Sequence, residues 1–121
     1  MYQHILQSIG NTPLVKIFHD LNTNIYAKLE YLNPGGSIKD RSALYMIEHA
    51  EKMGQLKPGM TIIDASSGNH GIAVAMIGAA KGYKVIICAS EKNSKEKVNT
   101  IKAYGAQVIT FPPTEIGRAH V

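Results

Sequence analysis

Tryptophan is absent from this chain, phenylalanine occurs twice, and cysteine occurs once, at position 88. A single cysteine forms no internal disulfide, and the place of Cys88 inside an apolar run predicts a buried strand position. No basic run is interleaved with aromatics. The lysines are scattered, so the formal charge of +4 is not the signature of a nucleic-acid-binding surface. The longest apolar stretch, Ile72–Ala80, falls far short of the roughly 20 residues that span a bilayer. No basic segment followed by an apolar one opens the sequence, so no secretory leader and a cytoplasmic location are expected. Internal repeats and low-complexity segments are also lacking. The composition, 45% hydrophobic and 18% charged over 121 residues, describes one globular domain's worth of chain with a real core.

The stretch Asn33-Pro34-Gly35-Gly36-Ser37-Ile38-Lys39-Asp40-Arg41 stands out. Pro34 and two glycines mark a tight turn. Ser37 is placed as a helix N-cap, with Asp40 three residues on closing a capping-box variant. The helix dipole favours an acid in that first turn and disfavours a cation, so Lys39 breaks the local rule. A lysine held beside helix-terminal N–H groups is expected to have its ammonium form destabilised, favouring a nucleophilic amine. The alternative is a solvated lysine at a helix start.

Ile9–Leu14 reads as a turn between apolar patches, and Ile25–Glu30 as a strand leading into the turn at Asn33. A helix is predicted from Ser37 to Met53, with Ala43, Met46, Ile47 and Ala50 on one face and Gly54 as its stop. Lys57-Pro58-Gly59 is a further turn, and Met60–Ala65 a buried strand. Ile72–Lys81 is apolar nearly all round and ends at Gly82. A helix without a polar face belongs inside the protein. Lys84–Ala89 and Gln107–Phe111 read as strands; between them Ser94 caps a helix that turns Val98 and Ile101 inward and stops at Gly105. Strands alternating with helices at this spacing predict β-α-β units and a parallel sheet, a three-layer α/β fold. Met46, Met53 and Met76 read as core filler and Lys92–Lys102 as a solvated helix face. Asp64 is structural, and His4, His19 and His49 lack metal-ligand spacing.

In an open α/β sheet, ligands bind at the carboxyl ends of strands. Ser66-Ser67-Gly68-Asn69-His70-Gly71 falls there, before a helix. Helix N–H groups and two hydroxyls make an anion site, and Asn69 both donates and accepts. Two readings compete. One is a dinucleotide fingerprint with Glu91 as the ribose acid, against which Ser66 stands where the first glycine should be. The other joins this loop to Lys39: an amine, a carboxylate cradle and an asparagine suit an amino acid bound to pyridoxal phosphate.

Together, I-G-N-T-P-L-V at Ile9–Val15, N-P-G-G-S-I-K-D-R at Asn33–Arg41, S-S-G-N-H-G at Ser66–Gly71 and S-E-K-N-S-K-E-K-V at Ser90–Val98 resemble the cysteine synthase and cystathionine β-synthase family of fold type II pyridoxal-phosphate enzymes. The resemblance implies that Lys39 forms the internal Schiff base and Asn69 hydrogen-bonds the cofactor 3′-hydroxyl. It implies that Ser66, Ser67, Gly68, Asn69 and His70 grip the substrate carboxylate. The activity implied is β-replacement on L-serine or O-acetyl-L-serine by a thiol or sulfide, giving cysteine or cystathionine, in a homodimer without nucleic-acid or membrane partners. His70 is more typical of serine/threonine dehydratases, which keeps β-elimination open as an alternative; a non-catalytic nucleotide- or anion-binding module is a second. Residues 1–34 are expected to pack on a C-terminal domain outside these 121 residues, and residues 35–114 to form the α/β subdomain. The family's phosphate loop and the partner of the pyridine nitrogen are not found here, so the chain alone is expected to bind cofactor weakly and to be nearly inactive. Residues 115–121 are expected to be a non-native tail, because Ile116–Val121 matches a translated sequencing adapter.

Overall fold

A computed structural model describes residues 1–18, 22, 24–66 and 68–113. His19, Ser67 and the tail expected to be non-native lie outside the described residues. After a short 3-10 turn, Ile5–Ser8, strands β1 (Leu14–Ile17) and β2 (Ile25–Lys28) pair antiparallel, with Leu14 opposite Lys28 and Ile17 opposite Ile25. β1 lies at the end of the stretch read above as a turn. A four-residue strand has little periodicity of its own and is defined by its partner.

Helix α1 (Lys39–Lys52) precedes β3 (Thr61–Ala65), α2 (Asn69–Lys81), β4 (Lys84–Ser90), α3 (Lys95–Ala103) and β5 (Gln107–Phe111). The last three strands form a parallel sheet in the order β3-β4-β5, with Ile62 opposite Val85 and Ile87 opposite Val108. The expected α/β class with a parallel sheet is what forms. The two β-α-β units place α2 and α3 on one face, over Val85, Ile87 and Ala89, all buried. The opposite face carries Ile63, Ile109 and Phe111, which are exposed.

Every residue of α2 from Gly71 to Gly78 is buried, as an apolar helix without a polar face requires. α2 lies between α1 and α3 and touches β3 and β4. It packs tightly on the sheet at Gly78, where a Cβ would stand 2.3 Å from Val85 Cγ2. Gly82 ends it in the left-handed conformation, φ +82°, and donates to the Ala79 carbonyl. α3 starts as predicted, with Ser94 Oγ accepting from the Lys97 N–H at 3.2 Å, and Ile101 is fully buried.

Some inward assignments are corrected. Ala43, Ile47 and Met76 are core residues, but Met46 and Met53 are exposed, because α1 packs on α2 through a narrow stripe only. Cys88 is half-buried, since it points toward the open face of β4. Among the described residues no helix is long and apolar enough to cross a membrane.

Candidate active site

The turn before α1 is closed by the Gly36 N–H donating to the Asn33 carbonyl at 2.8 Å, with Gly36 at φ +90°. The expected capping box does not form. Ile38 holds the N-cap position, and Ser37 Oγ accepts from the Lys39 N–H at 3.2 Å. Asp40 instead turns back to the Gly35 N–H, which donates to its Oδ2 at 2.6 Å. The glycine turn folds back on the first helical turn, and Gly35 takes the place that Ser37 would hold in a capping box. Asp40 is fully buried and its Oδ1 has no hydrogen-bond partner among the described residues. Burial pushes its carboxyl above the ordinary range, against the Gly35 N–H, and the charge of Glu30 adds to the rise.

Arg41, two residues after Lys39, is tied to the segment before the turn. Its Nε and Nη2 donate to Glu30 Oε2 and Oε1 at 2.8 and 3.0 Å, a two-pronged pair, and Nη2 also reaches Thr12 Oγ1 at 3.2 Å. Thr12 Oγ1 donates to Glu30, and buried Asn33 gives its Nδ2 to Glu30 Oε2 at 2.9 Å while its Oδ1 accepts from the Gly10 N–H at 2.8 Å. The Arg41 hydrogen bond, then that of Thr12, holds the Glu30 carboxyl down at about 2. The first two sequence motifs are therefore interlocked through Glu30. Sequence reading missed this network; the opposite charges of Glu30 and Arg41 flanking one turn were its only signal.

At the start of α2, Ser66 is buried and its Oγ accepts from the Gly71 N–H at 2.7 Å and the Gly68 N–H at 3.3 Å. Its oxygen lone pairs cap the helix, leaving only the hydroxyl hydrogen for a ligand. These bonds also extend α2 back to Asn69, three residues before the apolar run. Asn69 is exposed, and His70 is half-buried with its Nε2 3.7 Å from Asp64 Oδ2. His70, Asp64 and Gln55 line a cavity of about 320 Å³ whose other walls are apolar, among them Ala43, Ile47, Ile62 and Val74.

The packing of α1 on α2 sets the starts of both motif helices at one end of the pair. Near their C-termini, Lys81 Nζ bonds Glu51 Oε1 at 2.7 Å, and the Tyr83 hydroxyl donates to Glu51 Oε2 at 2.9 Å. The Lys81 hydrogen bond, followed by that of Tyr83, lowers the Glu51 carboxyl. Twelve residues back from that pair along each helix, about 18 Å, stand Lys39 and Asn69, the first residue of each. Both therefore lie at the same end of the helix pair. Among the described residues neither the Lys39 amine nor the Asn69 side-chain amide has a hydrogen-bond partner, and both side chains are exposed. An accessible primary amine, an unengaged amide and a helix N-terminus fit an aldehyde cofactor with a phenolic oxygen and a substrate carboxylate.

Comparison with known proteins gives the class. A family model described as pyridoxal-phosphate dependent enzyme matches residues 5–120, so the chain belongs to that family. A cysteine synthase of Staphylococcus aureus (strain Mu50 / ATCC 700699) is 50% identical over 115 residues, covering 93% of this chain and 37% of that protein. A cystathionine beta-synthase of Apis mellifera is 52% identical over 113 residues, covering 89% of this chain and 22% of its own. The crystal structure of an O-ureido-L-serine synthase superposes with a TM-score of 0.91 at 42% identity, over 99% of this chain and 38% of that one. The chain thus spans little more than a third of the cysteine synthase it matches. Its fold is that of the fold type II enzymes, and the cofactor of its family is pyridoxal phosphate.

Proposed function

We propose that this protein is a pyridoxal-phosphate-dependent β-replacement enzyme. It exchanges the β-substituent of L-serine or O-acetyl-L-serine for a thiol or sulfide, giving cysteine or cystathionine. The observation that carries this reading is the placement of Lys39 and Asn69 at one end of the α1–α2 pair. Lys39 holds the cofactor through its Nζ, and Asn69 hydrogen-bonds the cofactor 3′-hydroxyl. Ser66, Ser67, Gly68, Asn69 and His70 bind the substrate carboxylate, drawing on the partial positive charge at the start of α2. Bound pyridoxal phosphate supplies an electron sink that acidifies the substrate Cα–H. Lys39 Nζ, set free when the substrate amine takes its place on the cofactor, would take that proton. Residues 1–34, with Leu14 and Tyr26 exposed on the β1–β2 hairpin, pack on a further domain, and residues 35–114 present the lysine and the carboxylate loop. The protein is a cytoplasmic homodimer in this reading, without nucleic-acid or membrane partners.

His70 in the S-S-G-N-H loop favours a second reading, β-elimination by a serine/threonine dehydratase. The test is the product formed by the full-length enzyme from O-acetyl-L-serine and sulfide, or from L-serine and homocysteine. Cysteine or cystathionine is expected, with Lys39→Ala lowering the rate by about a thousandfold. Borohydride reduction followed by peptide mapping is expected to find the cofactor on Lys39. Ketoacid release from serine without thiol would make the protein a dehydratase. Binding of NAD or phosphate with no cofactor trapped on Lys39 would make it a binding module.

A further inference from the structure

Two residues of the Ser90–Val98 stretch touch the loop at the start of α2. Asn93 Nδ2 donates to the Ser66 carbonyl at 3.4 Å. Lys97, in the first turn of α3, lies across Gly68: a Cβ built there would stand 2.9 Å from both Lys97 Cδ and Lys97 Nζ. Only glycine leaves room for the ammonium in that position. Lys97 departs from the solvated helix face expected for this stretch, since it is half-buried. Among the described residues its Nζ makes no ion pair and no hydrogen bond, and the neighbouring Glu91 and Glu96 do not come within 4.0 Å of it. An ammonium beside a helix N-terminus faces the partial positive charge of the exposed N–H groups. That juxtaposition is unfavourable alone and becomes favourable when an anion bridges the two.

We infer that Lys97 is a substrate-binding residue, its ammonium donating to the α-carboxylate of the amino acid held at the Ser66–His70 loop. The inference rests on the proposed assignment of that loop to the substrate carboxylate. It adds to the donors at the site, because Ser66, whose Oγ accepts from the Gly68 and Gly71 N–H groups, has only its single O–H to give a carboxylate. Lys97 offers three N–H donors and a full charge. It makes the site selective for a free carboxylate over a carboxamide, since the amide cannot form a charge-assisted hydrogen bond of the same strength. Gly68 is thereby assigned a second role, as the gap through which the ammonium reaches the loop.

The test is a titration of the full-length, cofactor-loaded protein with L-serine and, separately, with L-serinamide, followed through the backbone amide resonances of Gly68, Asn69, His70 and Gly71. In the unmodified chain, L-serine is expected to shift these resonances and L-serinamide to do so much more weakly. Lys97→Met is expected to raise the Kd for L-serine about five- to tenfold and to leave that for L-serinamide within about twofold. Lys97→Arg is expected to restore most of the loss, and resonances remote from the loop report that each variant is folded. A serine response unchanged in Lys97→Met overturns the role of Lys97 alone. No serine response in the unmodified chain overturns the carboxylate loop itself, and Lys97 with it. An equal loss for serine and serinamide makes Lys97 a brace of the loop and overturns the charge contact.

Discussion

The Gly35 N–H donates to Asp40 Oδ2 at 2.6 Å, so the turn before Lys39 is tied to the second residue of the helix that Lys39 begins. The fit leaves no room for a side chain at position 35: a Cβ there would stand 2.3 Å from Asp40 Oδ1 and 2.9 Å from its Cγ. Gly35→Ala is therefore expected to displace a buried carboxylate and break its hydrogen bond, at a cost of about 2–3 kcal/mol. Urea denaturation measures this. In an Asp40→Ala background the same substitution is expected to cost less than about 1 kcal/mol, because the clashing carboxylate is gone. Equal costs in both backgrounds would show that Asp40 does not set the constraint.

Glu30 and Asp40 make opposite contributions to acid stability. Glu30 has a folded pKa of about 2 against an ordinary value of 4.5, so its contribution is present above about pH 4.5 and is lost as pH falls toward 2. Asp40 has a raised folded pKa; its buried charge is unfavourable at neutral pH, and that burden is relieved as acidification protonates it. The urea midpoint of the unmodified chain is expected to fall between pH 4.5 and 2. Glu30→Gln should be less stable at pH 7 and flatter across that window, whereas Asp40→Asn should make the acid loss steeper. A Glu30→Gln profile parallel to that of the unmodified chain would contradict the network around Arg41.

Ser66 is buried, and its Oγ accepts from two N–H groups at the start of α2. Ser66→Ala removes this cap and leaves the Gly71 N–H without its partner, which is expected to cost about 1–2 kcal/mol. Amide exchange should accelerate at Gly71 more than at Ile77, in the helix middle. Ser66→Thr, which keeps the hydroxyl, should retain most of the protection. Unchanged exchange at Gly71 in Ser66→Ala would show that another group caps the helix.

Much of the α/β half was legible because its signals are local. The strand Gln107–Phe111, the Ser94 cap and the burial of an apolar helix ending at Gly82 each follow from a few neighbouring residues. The features that escaped depend on contacts between distant positions. β1 needs β2, and the network that fixes Arg41 gathers residues 12, 30, 33 and 41. The capping box does not form because the glycine turn, folded back on the helix, gives Asp40 the Gly35 N–H as its partner. Lys97 looked like any other lysine on a charged helix face. Its place across Gly68 comes from the packing of α3 beside α2, which no local pattern encodes.

Gly78 sets how closely α2 approaches β4. An alanine at this position in an isolated helix would be favoured by about 1 kcal/mol. Here its Cβ would stand 2.3 Å from Val85 Cγ2, and Val85 is a buried residue of the central strand. Overpacking of this kind costs about 1–3 kcal/mol, and the contact is far inside van der Waals distance, so the steric cost outweighs the helix preference. Gly78→Ala is expected to lower the thermal midpoint by several degrees, as a net loss of about 1–2 kcal/mol would in a domain of this size. Val85→Ala alone is destabilising because it opens a cavity, but it also removes the methyl that Gly78→Ala would strike. The double variant is therefore expected to be more stable than the sum of the two single losses predicts. Strict additivity would show that α2 moves away from the sheet at little cost, and that the close approach at Gly78 does not hold the helix in place.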